Sequence, residues 1–175
     1  MKSICDEIDR QILTLNANIK AYGLCIPVVK GTQVHPVRVE DSKQVAIDDK
    51  WDVQYFHRLM PGTVTEDEEF SFGARYERRH IQTIRTVVII KKKLGFDWIE
   101  TFIRKIPQFL KCAEILTEYK FVNLTEPMQV NSDQDAIYNA EFGPAGDQYE
   151  KHRIPYIIYA LEYGADFIKC AVVCS

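Results

Sequence analysis

Isoleucine recurs at helical spacing at the start of the chain, while charged residues occupy many of the positions between. The isoleucines lie about one or two helical turns apart, at Ile4, Ile8, Ile12 and Ile19. Because side chains at this spacing share one face of a helix, the pattern predicts an amphipathic helix over residues 3–22 that ends at Gly23. We expect its apolar face to pack on the sheet of the same domain.

Short β-like segments follow, separated by turn residues. They cover residues 25–29, 34–39, 45–47 and 53–56. Pro27 and Pro36 lie inside two of them, and proline lacks the N–H that a central strand needs. We therefore expect edge strands or irregular hairpins in this part of the sheet.

The longest predicted strand covers residues 75–93. Its second half is apolar at odd and even positions alike, which is typical of a central strand covered on both faces. Its first half is rich in arginine, and we expect that half to project beyond the core as an extended ribbon. A turn-rich loop with an acidic run precedes this strand.

Helical spacing returns after Gly95. Asp97 is the predicted N-cap of a helix over residues 97–116, and Pro107 should either kink this helix or begin a second one. A short hairpin is predicted over residues 119–130.

The closing elements are a short helix and a hairpin. Ser132, with Asp135 three residues later, gives a capping signal for a helix over residues 133–142. The final hairpin should turn around Gly164. All elements together predict a single α+β domain, residues 1–175, with a mainly antiparallel sheet. The N-terminal helix and a kinked helix pair pack against it, and an extended loop or hairpin lies around residues 57–85.

Composition fits an ordinary globular domain. The chain has 175 residues, 46% of them hydrophobic and 27% charged, which excludes a disordered chain. A net charge of −3 disfavours a generally cationic nucleic-acid binder. No apolar run approaches the ~20 residues that span a bilayer, so no membrane partner is expected. Five cysteines, an odd number without an export signal, predict reduced thiols.

Standard catalytic motifs are missing from the sequence. It contains no glycine-rich phosphate loop, no HExxH motif and no GxSxG motif, and its four histidines are scattered. We therefore expect a protein without catalysis, cofactor or metal. One enzymatic alternative stays open, because Asp48, Asp49 and Asp52 with Lys50 could imitate the acids of a metal-dependent phosphodiesterase or nuclease.

Charge is strongly segregated along the chain. Residues 48–70 contain seven acids and two bases, residues 75–93 seven bases and one acid, and residues 117–150 seven acids and one base. The unlike segments could pair within one subunit. They could also form separate surfaces that join copies head to tail, a contact that closes into rings when the rotation permits.

The candidate contact residues come from the acidic loop and the arginine-rich strand. Arginine and tyrosine together are typical of protein interfaces. The predicted contacts with another copy or a partner are Glu66, Asp67, Glu68, Glu69, Arg75, Tyr76, Arg78, Arg79 and Arg85. Non-specific contact of this basic stretch with passing DNA is a further possibility.

The order of elements resembles the small neck proteins of tailed bacteriophages, the head-tail connector, head-completion, tail-completion and tail-terminator group. The resemblance covers most of the chain without a short diagnostic motif. It consists of a leading helix, a long strand that ends an extended hairpin, two further helices and closing strands, at residues 3–22, 75–90, 97–116, 133–142, 156–161 and 167–173.

This resemblance implies a ring-forming structural protein without catalysis. Such a subunit would be assembled in the host cytoplasm and located in the virion. It would contact further copies of itself and other neck or tail proteins, with DNA passing through the ring. The remaining alternative is a cytosolic adaptor that binds one protein partner through the same patches.

Overall fold

The computed structural model describes residues 2–61, 67–72, 75–110, 121–143 and 155–170, with side chains described over residues 2–61, 81–107, 130–143 and 155–167. Within these ranges the chain forms three α-helices, one short 3-10 helix (Lys92–Leu94) and seven strands. The helices are α1 (Lys2–Leu13), α2 (Phe96–Leu110) and α3 (Gln134–Phe142). The strands are β1 (Ile19–Lys30), β2 (Gln33–Arg38), β3 (Val53–Leu59), β4 (Asp67–Phe72), β5 (Arg75–Lys91), β6 (Phe121–Asn131) and β7 (Tyr156–Cys170).

The strands form one mixed sheet in the order β2-β1-β3-β5-β7-β6, and β4 pairs with the beginning of β5. Every described pair is antiparallel except β1 with β3. The predicted α+β fold with a mainly antiparallel sheet is therefore confirmed.

Strand β5 lies in the middle of the sheet and is covered on both faces. Ile84, Val88 and Ile90 point to the larger core, where α1 and α2 pack. Val87 and Ile89 point to the second core, which includes residues of α3. Because successive side chains of a strand alternate between faces, apolar residues at odd and even positions supply both cores. The prediction of a central strand covered on both sides is confirmed.

Helix α1 is shorter than predicted, because it ends at Leu13 and Ile19 already belongs to β1. The residues between them use their side chains to form a turn. The Thr14 hydroxyl donates to the Gln11 carbonyl at 2.7 Å, and the Asn16 side chain accepts from the Asn18 N–H at 2.8 Å. Such local bonds offer the backbone an alternative to the helix. Gly23, the predicted stop, lies inside β1, where the pairing with β3 shifts register.

The two predicted C-terminal hairpins are wrong, because each is one continuous strand. Gly164, the expected turn, pairs with Thr83 on one side and Thr125 on the other, so β7 runs straight through the sheet. The predicted hairpin over residues 119–130 falls largely on β6, where a register shift between Thr125 and Gln129 absorbs Pro127. Because β6 is an edge strand, the missing N–H and the irregularity are tolerated there.

Helix boundaries also differ at single residues. Helix α2 begins at Phe96, so Asp97 lies in its first turn instead of capping it, and Pro107 lies inside the helix. The N-cap of α3 is Asp133, whose side chain accepts from the Ala136 N–H at 3.1 Å, and not Ser132. Residues 111–116 of the second predicted helix lie outside the described residues.

Candidate functional site

The acidic run and the arginine-rich segment are neighbouring strands of one hairpin. Asp67 is the register partner of Arg79, and Glu69 is the register partner of Arg78. Residues directly opposite in an antiparallel pair have Cβ atoms only ~4.5–5.5 Å apart. The register therefore places backbone positions of unlike charge opposite each other within one subunit.

The other candidate contacts in this hairpin are placed by backbone register alone. Tyr76 is the partner of Ser71 and Arg75 the partner of Phe72, while Glu68 lies at the register shift of β4. Glu66 lies outside the described residues. The interface role of these residues stays a prediction.

Arg85 is held by two carboxylates of its own chain. Its Nε donates to Glu162 Oε1 at 2.7 Å and its Nη1 donates to Glu141 Oε1 at 3.0 Å. Burial alone would lower the pKa of Arg85, but the two carboxylates outweigh burial and raise it. Arg85 thus has a structural role inside the subunit, and its role as a contact residue stays a prediction.

Helix α3 is joined to the sheet by Glu141, whose side chain is 1% exposed. Besides Arg85 on β5, it accepts a hydrogen bond at 3.0 Å from Arg58 on β3. Arg58 also donates to the Ala140 carbonyl at 3.3 Å. We call the set Arg58, Arg85, Glu141 and Glu162 the ion-pair cluster. It fixes the C-terminal end of α3 against the middle of the sheet.

The end of α3 also contacts the tip of the β1–β2 hairpin. A Cβ atom at Gly143 would lie 2.7 Å from the Val34 backbone nitrogen and 2.8 Å from the Gln33 Cα. Only glycine allows this close approach of two backbones. The β1–β2 hairpin therefore packs against the end of α3, which the ion-pair cluster joins to the sheet.

The supported hairpin carries exposed apolar side chains. Pairing between β1 and β3 ends at Cys25 with Arg58, so beyond Cys25 strand β1 pairs only with β2. Along this two-stranded part Ile26 is 52% exposed and Val29 is 68% exposed. We call residues 26–38 the hairpin arm. The position of Pro27 and Pro36 in this arm confirms the expected hairpin at the edge of the sheet.

A buried hydrogen-bonded chain joins α1 to the sheet. His57 Nε2 donates to Asp9 Oδ1 at 2.9 Å, and His57 Nδ1 lies 2.8 Å from Thr86 Oγ1. The Thr86 hydroxyl continues to the Tyr163 hydroxyl at 2.7 Å. An acid, a histidine and a hydroxyl in this order resemble the arrangement that activates a nucleophile. However, His57 and Thr86 have no exposed surface. This series of hydrogen bonds therefore stabilises the core.

Replacing Thr86 by valine should lower the free energy of unfolding by about 2 kcal/mol, because two buried partners would lose a hydrogen bond. The isosteric change leaves the packing volume almost unaltered. Urea unfolding followed by circular dichroism measures the effect. Thr83→Val, a half-buried position on the same strand, is the matched control. Equal losses in the two variants would contradict the structural role of Thr86.

The three acids of the phosphodiesterase alternative have separate partners. Asp52 accepts from Asn18 at 2.7 Å and lies 3.3 Å from Lys93 Nζ. Asp49 accepts from the Tyr156 hydroxyl, and Asp48 accepts from the Lys50 N–H. Within the described ranges no group of three His, Cys, Asp or Glu residues is placed to hold a metal ion. No contact here favours that alternative.

Two cysteines lie in the described cores as free thiols, Cys5 and Cys25. Burial raises the pKa of each thiol to about 12. Because the thiolate is the reactive form, these cysteines act as small apolar side chains near neutral pH.

The chain matches no protein-family model and no curated protein. Among the described helices, none is long and apolar enough to cross a membrane.

Proposed function

We propose that this chain is a structural assembly subunit without catalysis, whose copies join head to tail into a ring. In line with the resemblance in element order, we place it in the neck of a tailed bacteriophage, as a head-tail connector or tail terminator. Its partners would be further copies of itself and neighbouring virion proteins.

The observation that carries this proposal is a pair of exposed apolar side chains, Ile26 and Val29, one on each face of the hairpin arm. β-Branched side chains on a projecting strand pair promote unwanted association unless a partner covers them. The arm is also held in one position by Gly143 and the ion-pair cluster. A rigid, apolar, partly unpaired ribbon is suited to binding another subunit, since little order must be gained on contact.

Net charge supports contact between unlike edges of the sheet. Residues 24–41, which contain the arm, have two bases and two acids, and Arg38 pairs with Glu40 and Asp41 at 3.0 and 2.9 Å. Residues 121–135, which contain the opposite edge strand β6, have three acids and no base. Contact between two copies of the β6 edge would bring like charges together, whereas head-to-tail contact joins this acidic edge to the neutral edge that carries the arm. Head-to-tail contacts produce closed rings when the rotation per subunit permits.

Polar chemistry inside the chain also agrees with a structural role. The described groups that could serve as base and nucleophile, His57 and Thr86, are fully buried. The arginine and glutamate side chains of the ion-pair cluster, near the middle of the sheet, pair with each other.

The double substitution Ile26→Ser with Val29→Ser should weaken self-association at least tenfold, because burying two such side chains contributes well over the ~1.4 kcal/mol that a tenfold change requires. Sedimentation velocity of the full chain, at concentrations up to its solubility limit, measures this. We expect the wild-type protein to form one discrete oligomer.

The control for this experiment is Phe96→Ser, at the start of α2, because Phe96 is as exposed as Val29. This variant should assemble like the wild-type chain. The proposal fails if the wild-type protein stays monomeric over the whole range, or if the arm variant assembles as well as the control.

A further inference from the structure

The hairpin arm has two faces and two outer edges, and these offer different contacts to a second subunit. A face offers side chains, whereas an edge offers the N–H and C=O groups of its backbone. An open edge pairs readily with a strand of another chain, which extends the sheet from one molecule into the next. The state of the two edges therefore decides how a neighbour binds the arm.

Pro27 and Pro36 lie directly opposite each other in the arm. In antiparallel strands, pairs that exchange hydrogen bonds alternate with pairs whose N–H and C=O groups point outward. The Val39 N–H donates to the Leu24 carbonyl at 2.9 Å, so the backbone groups of this pair point inward. The regular alternation from this pair onward makes the backbone of Pro27 and of Pro36 point outward, one towards each edge.

The outer edge of β2 is covered by the protein itself. The Pro36 carbonyl accepts from the Val45 N–H at 2.8 Å, on the side away from β1. The outward position nearest the turn is Val34, whose backbone nitrogen would lie 2.7 Å from a Cβ atom at Gly143. This edge therefore has little room for a strand of another chain.

The outer edge of β1 is open but lacks a donor in its middle. Its pairing with β3 ends at Cys25, and within the described ranges no backbone hydrogen bond joins this edge to another segment beyond that point. The outward positions that follow are Pro27 and Val29, both exposed. Because proline has no N–H, Val29 supplies the last outward donor of this edge. A strand added here would pair poorly.

The face of the arm on the α1 side is a continuous apolar surface. Leu24, Ile26 and Val28 alternate along β1 and share this face, and Leu24 packs against the larger core. Val37 lies opposite Ile26 and Val39 lies beside Leu24. Ile26 is 52% exposed and Val39 is 45% exposed, so this face offers apolar area that the edges do not.

We infer, building on the proposed function, that neighbouring subunits contact the arm through the side chains of its faces and do not add a strand to its edges. Pro27 and Pro36 impose this mode of contact, because they remove an outward N–H donor from the middle of each edge. Packing on a face covers Ile26 and Val39 once, whereas strand addition repeats from copy to copy. The two prolines thus keep association of the exposed arm specific.

Pro27→Val tests the role of the proline, because it restores an outward N–H beside that of Val29. We expect species that sediment faster than the wild-type chain, grow with time and raise thioflavin T fluorescence. Lys30→Val is the matched control, since it adds the same side chain to the same strand while its N–H points towards β2. The inference is overturned if Pro27→Val sediments like the wild-type chain, or if the control forms the same large species.

Two substitutions at Val29 separate the contact modes in the assembled protein. Val29→Pro removes the last outward N–H and keeps an apolar side chain, whereas Val29→Ser keeps the N–H and loses the apolar side chain. We expect Val29→Ser to weaken self-association at least about threefold and Val29→Pro to weaken it less, as measured by sedimentation velocity. The reverse order would indicate strand addition and overturn the inference. A wild-type chain that stays monomeric would contradict the proposed function instead, and the Pro27→Val comparison would still decide the inference.

Discussion

Glu141→Gln is expected to lower the free energy of unfolding by about 3 kcal/mol, because removing one partner of a buried ion pair leaves its counter-charges uncompensated. The Glu141 carboxylate is almost fully buried and accepts from Arg58 and Arg85, both at 3.0 Å. The amide that replaces it keeps the size of the side chain and loses the charge. Urea unfolding, followed by circular dichroism, measures the loss.

The control for this prediction is Glu162→Gln in the same cluster. Glu162 is partly exposed, and Arg85 is its partner at 2.7 Å, so its replacement should cost about 1 kcal/mol or less. Arg85 would still be balanced by Glu141 in that variant. If the two substitutions cost the same, Glu141 is not the residue that anchors α3 to the sheet.

Gly143→Ala is the second substitution with a large expected effect, a loss of about 4 kcal/mol or failure to fold, because backbone strain and steric overlap add. Gly143 ends α3 with φ 84° and ψ 176°, a region that essentially only glycine adopts. A new methyl group would also overlap the backbone of Gln33 and Val34, which cannot move aside as a flexible side chain would. Thermal and urea unfolding measure the loss.

Gly95 provides a closely matched control for this substitution. It has φ 85° and ψ 150°, yet a Cβ atom there would meet nothing within 4 Å. Gly95→Ala should therefore cost only the backbone strain, about 2 kcal/mol. The difference between the two variants isolates the contact between α3 and the hairpin arm, and equal losses would show that this contact contributes nothing.

The pattern of apolar residues along the sequence is sufficient to predict the central strand of the sheet. The continuous run of β-branched apolar residues at the end of β5 correctly predicts a strand covered on both faces, because odd and even positions are apolar alike. The helical spacing of Leu15 and Ile19 predicts a longer α1 than the structure has, because the residues between them form a turn. The sequence predicts a turn at Gly164, because a strand pattern alone does not indicate that both sides of the strand are paired.

The polar contacts that matter most could not be predicted from the sequence. Asp9 and His57 are 48 residues apart, and Arg58 and Glu141 are 83 residues apart. Neither pair has a local signal, because strand order alone brings the residues together. Segregated charge was visible in the sequence, but the register of β4 with β5 places part of it side by side. The hairpin arm had only one local signal, the prolines at positions 27 and 36.

We propose that one subunit binds the next through the hairpin arm. Electron microscopy of the purified oligomer, at a resolution that traces strands, tests this most directly. We expect a closed ring in which residues 26–38 of each copy lie against β6 of its neighbour. An assembly in which Ile26 and Val29 face solvent, or a two-fold dimer formed by like edges, would contradict it.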